Sequence, residues 1–221
     1  MFSIAGIDLL EQELLDYEHT LLEILLQDKT TKKNIIWATD DYAELGEQYS
    51  FKKEILPELV TGDQDSLIQP RVEKALEHQT NRTRDKAEVF TPSWICNAQN
   101  NLVDEQWFGR KDVFNVQKDM KWKATTDKVV FPDDSQHTWQ KYVDAQRLEI
   151  SCGEAPYLVS RYDTVTGEAI PIAQRIGLLD RKLRVVSENT ETEEDWFTWA
   201  KRAFQSIYGF EYQGDSLLLA R

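Results

Sequence analysis

Apolar residues recur at three- and four-residue steps through the opening of the chain. Ile7, Leu10, Leu14, Tyr17, Leu21 and Leu25 form one stripe, and Leu9, Leu15, Leu22 and Leu26 widen it. The spacing predicts an amphipathic helix within residues 1–30. A stripe this wide at a terminus has two uses: packing on its own domain, or docking a partner protein or a second copy through residues 7–26. A helical region over 31–108 follows, with a short strand at Asn34–Ala38 and one helical turn ending at Gly46. "LVTGDQDSLIQPR" is a loop broken by Gly62 and Pro70. "VEKALEHQTNRTRDKAE" is a polar helix, and "SWICNAQNNLVDEQWF" a second one with Trp94, Ile95, Ala98 and Leu102 at helical spacing.

The period changes after residue 108. "KDVFNV", "MKWKATT" and "KVVF" are short strand-like pieces closed by a "PDD" turn, which predicts a small β insertion over 109–140. Residues 141–221 alternate again. "SQHTWQKYVDAQ" leads in as a helix, and "RLEIS" is a strand ending at a Cys-Gly turn. "PYLVSRYD" begins a helix, and "DTVTGEAIPIAQ" is a loop. "RIGLLDRKLRVVSEN" and "EEDWFTWAKRAFQS" are helices, the second burying Trp196, Trp199 and Phe204. "IYGFEYQ" is a second strand and "DSLLLAR" opens a last helix. The order predicts an α/β chain without internal repeats.

Composition narrows the class. With 41% hydrophobic residues, 11% aromatics and seven Trp in 221 residues, the chain can bury a sizeable core. No apolar run reaches the roughly 20 residues that span a bilayer, and no basic start precedes an apolar stretch, so the sequence predicts neither a membrane span nor a signal peptide. Two cysteines, Cys96 and Cys152, are too few for a disulfide framework and fit a cytoplasmic location. His19, His78 and His137 have no metal-ligand spacing, so no metal is expected. The net charge is −13, which disfavours unaided binding of nucleic acid, although basic residues cluster at 71–86, 110–128 and 175–184.

Three short stretches carry candidate chemistry. In "VFTPSW", Phe90 offers a face for a flat group, Thr91 a hydroxyl for a carboxylate, and Pro92 a fixed backbone for the start of a helix. In "LEISCGEAPYL", a carboxylate at a strand end, Glu149, precedes a turn in which Gly153 lets backbone N–H groups approach a ligand. In "IYGFEYQGDSLLLAR", Glu211 ends a strand where an acid accepts both hydroxyls of a ribose. Taken singly, the second also fits an ordinary βα loop and the third a surface glutamate.

In this order the stretches resemble the N-terminal part of adenine-specific DNA methyltransferases of restriction–modification systems. "AEVFTPSWICNAQNNLVD" is similar to the family's F/Y-T-P motif, "LEISCGEAPYL" to its cofactor loop, and "YGFEYQGDSLLLAR" to its strand-end acid. The resemblance implies a helical N-terminal region followed by a partial Rossmann-like sheet that binds S-adenosylmethionine. Phe90, Thr91 and Pro92 would flank the methionine end, and Glu149, Ser151, Cys152 and Gly153 would form the loop beneath it. Glu211 would hold the ribose. The loop departs from the pattern at Glu154 and Ala155. The six prolines are never adjacent, so the family's [DNS]-P-P-[YFW] motif, which holds the flipped adenine, is absent. No catalytic residue is therefore assigned, and the resemblance implies a cofactor-binding portion that does not transfer methyl groups alone. DNA would be reached through a missing recognition region or a partner subunit. Two other readings stand beside it. One is a non-enzymatic acidic interaction protein, a DNA mimic or inhibitor, on a degenerate methyltransferase fold. The other is a helical assembly subunit that docks through its first helix.

Overall fold

The structure, a computed structural model, describes residues 9–74, 76–86 and 89–221. Ile7 and the start of the N-terminal stripe lie outside the described residues. The chain divides into two units: Met1–Val89 with Glu211–Arg221, and Phe90–Phe210. Helices occur in both units and the two small sheets lie in the second, so the mixed α/β class holds at that level. Among the described residues no helix is long and apolar enough to cross a membrane.

In the first unit the predicted single helix is two: α1 (Glu11–Tyr17) and α2 (Leu21–Leu26). The Glu18 carboxylate accepts from the Thr20 N–H at 3.4 Å and hydroxyl at 3.2 Å, a local pairing that competes with the helix ladder. Leu14, Leu22 and Leu26 still share one face, and that face enters this unit's own core beside Trp37, Ile55 and Leu218. Tyr17 and Ile24 are left exposed. Asn34–Ala38 is extended, but it pairs only at isolated bridges, Gln27 to Asn34 and Ile36 to Glu54. A single helical turn ends at Gly46 as expected. The polar helix is α3 (Leu76–Lys86).

The last helix of the chain, α8 (Gly214–Ala220), lies across the extended segment. The Gly214 N–H donates to the Trp37 carbonyl at 2.9 Å, and a Cβ on Gly214 would overlap the Ile36 carbonyl oxygen. Only glycine permits that approach. Beside it Asp215 is wholly buried and accepts from the Tyr42 hydroxyl at 2.8 Å, Lys74 at 2.9 Å and Arg82 at 2.8 Å.

The second unit begins with α4 (Ser93–Phe108), which matches its predicted span. Its buried face is unexpected: Ser93, Asn97, Asn100 and Asp104 point inward, whereas Leu102 is 64% exposed. The cause is Arg181 on α6 (Leu178–Asn189), whose buried guanidinium pairs with Asp104 and donates to Asn97 at 2.8 Å and Asn101 at 2.9 Å. Asn97 in turn donates to Asn115 at 2.9 Å and Gln117 at 2.7 Å. Buried polar groups require partners, and this network supplies them.

The β insertion is a hairpin, β1 (Asn115–Lys118) against β2 (Lys121–Ala124), antiparallel. Asn115, Gln117, Trp122 and Ala124 face inward, while Val116, Lys118, Lys121 and Lys123 face solvent. The expected third piece, 128–131, is not a strand. The Val129 N–H donates to the Glu188 carboxylate at 2.8 Å instead of to a neighbouring strand. Next come α5 (Trp139–Asp144) and β3 (Arg147–Ile150). The helix expected at 156–163 does not form. The Tyr157 and Leu158 carbonyls accept from the Leu178 and Leu179 N–H groups at 2.9 Å each, so they cap α6 and cannot serve a local ladder. α6 and α7 (Glu193–Gln205) then carry the chain to β4 (Ile207–Phe210), which pairs parallel with β3, Arg147 opposite Ile207 and Ile150 opposite Phe210. α7 starts at Thr192, whose hydroxyl accepts from the Asp195 N–H at 3.1 Å, and Glu193, Glu194 and Asp195 favour the positive helix end. Trp199 packs edge-on to Trp139 at 4.6 Å, whereas Phe204, expected in the core, is 59% exposed.

Candidate cofactor site

The site is built where the start of α4 meets the turn after β3, both in the second unit. Pro92 caps α4, and its carbonyl accepts from the Ile95 and Cys96 N–H groups at 2.9 and 3.2 Å. The next N–H, of Ser93, donates to Asp163 at 2.7 Å. Burial raises the Asp163 carboxyl, but the N–H groups of Ser93, Thr166 and Val165 outweigh it and hold the group below the ordinary carboxylate value. Asp163 therefore pins the Phe-Thr-Pro segment to the 163–166 loop. The Thr91 carbonyl adds a bond from the Thr164 hydroxyl at 3.3 Å.

The turn after β3 is tight. Ser151, Gly153 and Ala155 all have left-handed φ near +55°, at 54°, 54° and 56°. The Cys152 N–H donates to the Phe210 carbonyl at 2.9 Å, one step beyond the parallel ladder, and the Ala155 N–H returns to the Cys152 carbonyl at 2.7 Å. Glu154 is buried and accepts from the Tyr162 hydroxyl at 2.7 Å. The departures from the resembled loop, Glu154 and Ala155, are thus internal supports of the turn.

Phe90 closes the turn from above. A Cβ on Gly153 would lie 3.1 Å from Cε1 and Cζ of the Phe90 ring, so the ring rests on the space that glycine leaves. Beside this contact Thr91, Cys96, Tyr157 and Glu149 gather. The Cys96 thiol donates to the Thr91 carbonyl at 3.5 Å, and burial, followed by the neighbouring Cys96, raises the Tyr157 hydroxyl. Burial and then the Glu149 carboxylate push the Cys96 thiol up to about 12. That thiol is neutral at physiological pH and is no nucleophile.

The structure therefore brings Phe90 onto Gly153 and sets Thr91 and Glu149 about Cys96 and Tyr157. Ser151 is exposed at the turn and Cys152 is buried beneath it. Glu211 is the first residue after β4 and belongs to the first unit; its Oε1 accepts from the Tyr212 and Gln213 N–H groups at 2.8 and 3.0 Å. Sequence reasoning missed Tyr157 and Asp163. The Asp-x-x-Thr spacing of 163–166 signals a turn, and nothing in it identifies Ser93 as the partner. Among the described residues no three His, Cys, Asp or Glu side chains gather as a metal-holding group. No protein-family model matches this chain, and no curated protein or solved structure is found to be similar to it.

Proposed function

We propose that this chain is a cofactor-binding portion of an adenine-specific DNA methyltransferase, with S-adenosylmethionine as ligand and with catalysis dependent on further polypeptide. The observation that carries the reading is the seat of Phe90 on Gly153. A Phe-Thr-Pro segment folded onto the glycine turn after a parallel strand is the arrangement that the order of the three motifs implies. An aromatic face, a nearby carboxylate and backbone donors suit a ligand with a sulfonium, an ammonium and a carboxylate.

The parallel pair supports the rest. Leu148 and Ile150 on β3 register with Tyr208 and Phe210 on β4, and all four are exposed. Parallel sheets are normally covered on both faces, so this pair reads as the start of a larger, Rossmann-like sheet completed by another polypeptide segment. The outward lysines of the β1–β2 hairpin, with Lys118 directly opposite Lys121, suit DNA phosphates. Like charges so placed repel unless an anion lies over them.

Calorimetric titration with S-adenosylmethionine tests the reading. Wild-type protein is expected to bind with micromolar affinity and Phe90→Ala to weaken it. Absence of heat at about millimolar ligand overturns it.

The charge distribution favours a second reading. The second unit holds 15 basic against 18 acidic residues, a net of −3, which leaves −10 of the chain's −13 to the first unit. That concentration fits an acidic interaction surface resembling DNA. Failure of the protein to compete with DNA for a basic partner at low salt removes it.

A further inference from the structure

A cavity lies in the second unit, between the β1–β2 hairpin, the 172–175 turn and the helices α6 and α7. Its volume is about 360 Å³, within the range of small-molecule sites. Phe114, Ile172, Leu183 and Trp196 supply apolar walls. The Trp196 indole is held by donating to Ser187 at 3.0 Å, which leaves its ring face as a wall. Three arginines also line the cavity, with Asp180 the sole carboxylate among the lining residues.

The three guanidinia are not equivalent. Arg181 is matched by Asp104, Asn97 and Asn101. Arg184 is matched by Glu188 at 2.7 Å and by the carbonyls of Phe114 and Asp127. Arg175 makes no side-chain hydrogen bond among the described residues, and its Nε is buried without a partner. Its nearest carboxylate oxygen, on Asp180, is 3.9 Å away. The other oxygen of Asp180 serves the Ser160 N–H and hydroxyl at 3.0 and 3.1 Å, and burial pushes that carboxyl above its ordinary value. A partly buried guanidinium at the wall of an apolar cavity is thus left under-neutralised. Gln174 lies beside it, its side-chain oxygen fixed by the Ala124 N–H at 3.0 Å, with the amide donors remaining.

We propose that this cavity binds a small organic carboxylate with a flat apolar body. The carboxylate pairs with Arg175 and the body lies among Trp196, Leu183 and Ile172. Charge-assisted pairing of a guanidinium with a carboxylate is the strongest polar contact such a cavity offers. This site shares no residue with the Phe90–Gly153 site and stands whether or not S-adenosylmethionine binds.

The test is calorimetric titration of the full chain with 3-phenylpropionate and, separately, with its uncharged amide. The acid is expected to bind one to one with a Kd of about a millimolar or tighter, and the amide at least about tenfold more weakly. Arg175→Gln is expected to lower acid affinity by at least about tenfold while leaving the melting temperature close to wild type. Ile172→Asp, at an exposed rim position, places a negative charge at the mouth and is expected to weaken the acid without affecting folding. Phe90→Ala is expected to leave the binding unchanged. Undetectable binding of the acid at about 10 mM, equal binding of acid and amide, or wild-type affinity in Arg175→Gln overturns the proposal.

Discussion

Asp215 concentrates the electrostatics of the first unit in one side chain. It is fully buried, and burial alone would raise its pKa; the charges of Lys74 and Arg82 dominate and hold it well below the usual carboxylate range. Removing that charge strands two cations, and a lone buried charge is costly. Asp215→Asn is expected to destabilise the chain by about 3 kcal/mol, measured by urea denaturation at neutral pH. The pH dependence has a definite sign. A carboxylate with a lowered folded-state pKa contributes stability that is complete above its unfolded value of about 3.9 and is lost as pH falls toward the folded value. Wild-type protein is therefore expected to lose stability steeply below about pH 4, and Asp215→Asn to lack that part of the slope. Cys96 behaves oppositely: a thiol pushed up to about 12 stays inert through the physiological range.

At the scale of elements, the sheet face of Leu148, Ile150, Tyr208 and Phe210 has the clearest consequence. Its residues contribute little to the stability of the isolated chain because they remain in water. Ile150→Thr with Phe210→Ser is expected to change the unfolding free energy by less than about 0.5 kcal/mol and to lower the wild-type tendency to self-associate through this face, with light scattering as the readout. A large loss of stability in the double variant would show that the face is covered within the chain. How far these elements were legible depends on what decides them. β3, α6 and β4 follow from period and turn residues, because local pattern and tertiary packing agree there; α4 and α7 keep their predicted spans, but α4 buries its polar side and α7 leaves Phe204 in water. The break at Glu18 is a local hydrogen bond that an apolar stripe does not register. The missing helix at 156–163 and the missing strand at 128–131 are tertiary outcomes: the carbonyls of Tyr157 and Leu158 are taken by α6, and the Val129 N–H by Glu188. Of the candidate site, the glycine turn and its aromatic cover are legible in sequence. Asp163 and Tyr157 are not, since their neighbours lie 70 and 66 residues away along the chain at Ser93 and Thr91.

The whole molecule comprises two units with separate cores. One is centred on Trp37, Ile55 and Leu218, the other on Tyr142, Val185 and Ala203. The second unit is continuous in sequence, contains both strands of the parallel pair and both ends of the Arg181 network, and carries a net charge of only −3 from 15 basic and 18 acidic residues. A fragment spanning Phe90–Phe210 is expected to fold by itself, with a cooperative thermal transition and dispersed amide resonances. A fragment without either would show that its core needs the first unit. The first unit is discontinuous, because α8 supplies Leu218, Gly214 and Asp215 to a core otherwise made by residues before Val89. It is expected to require both stretches of chain.

The inward polar face of α4 reverses the usual relation between chemistry and variability. In most helices the apolar stripe is constrained and the polar side drifts. Here Leu102 and Val103 face water, while Asn97, Asn100 and Asp104 hold Arg181, the hairpin and the turn before α6 in register. A hydrogen-bonded stripe tolerates fewer replacements than an oily one of the same size, since an amide or carboxylate has few substitutes with the same donors and acceptors in the same places. Divergent relatives of this chain would thus be recognised by a periodic trail of asparagine and aspartate, with the leucines between them free to change.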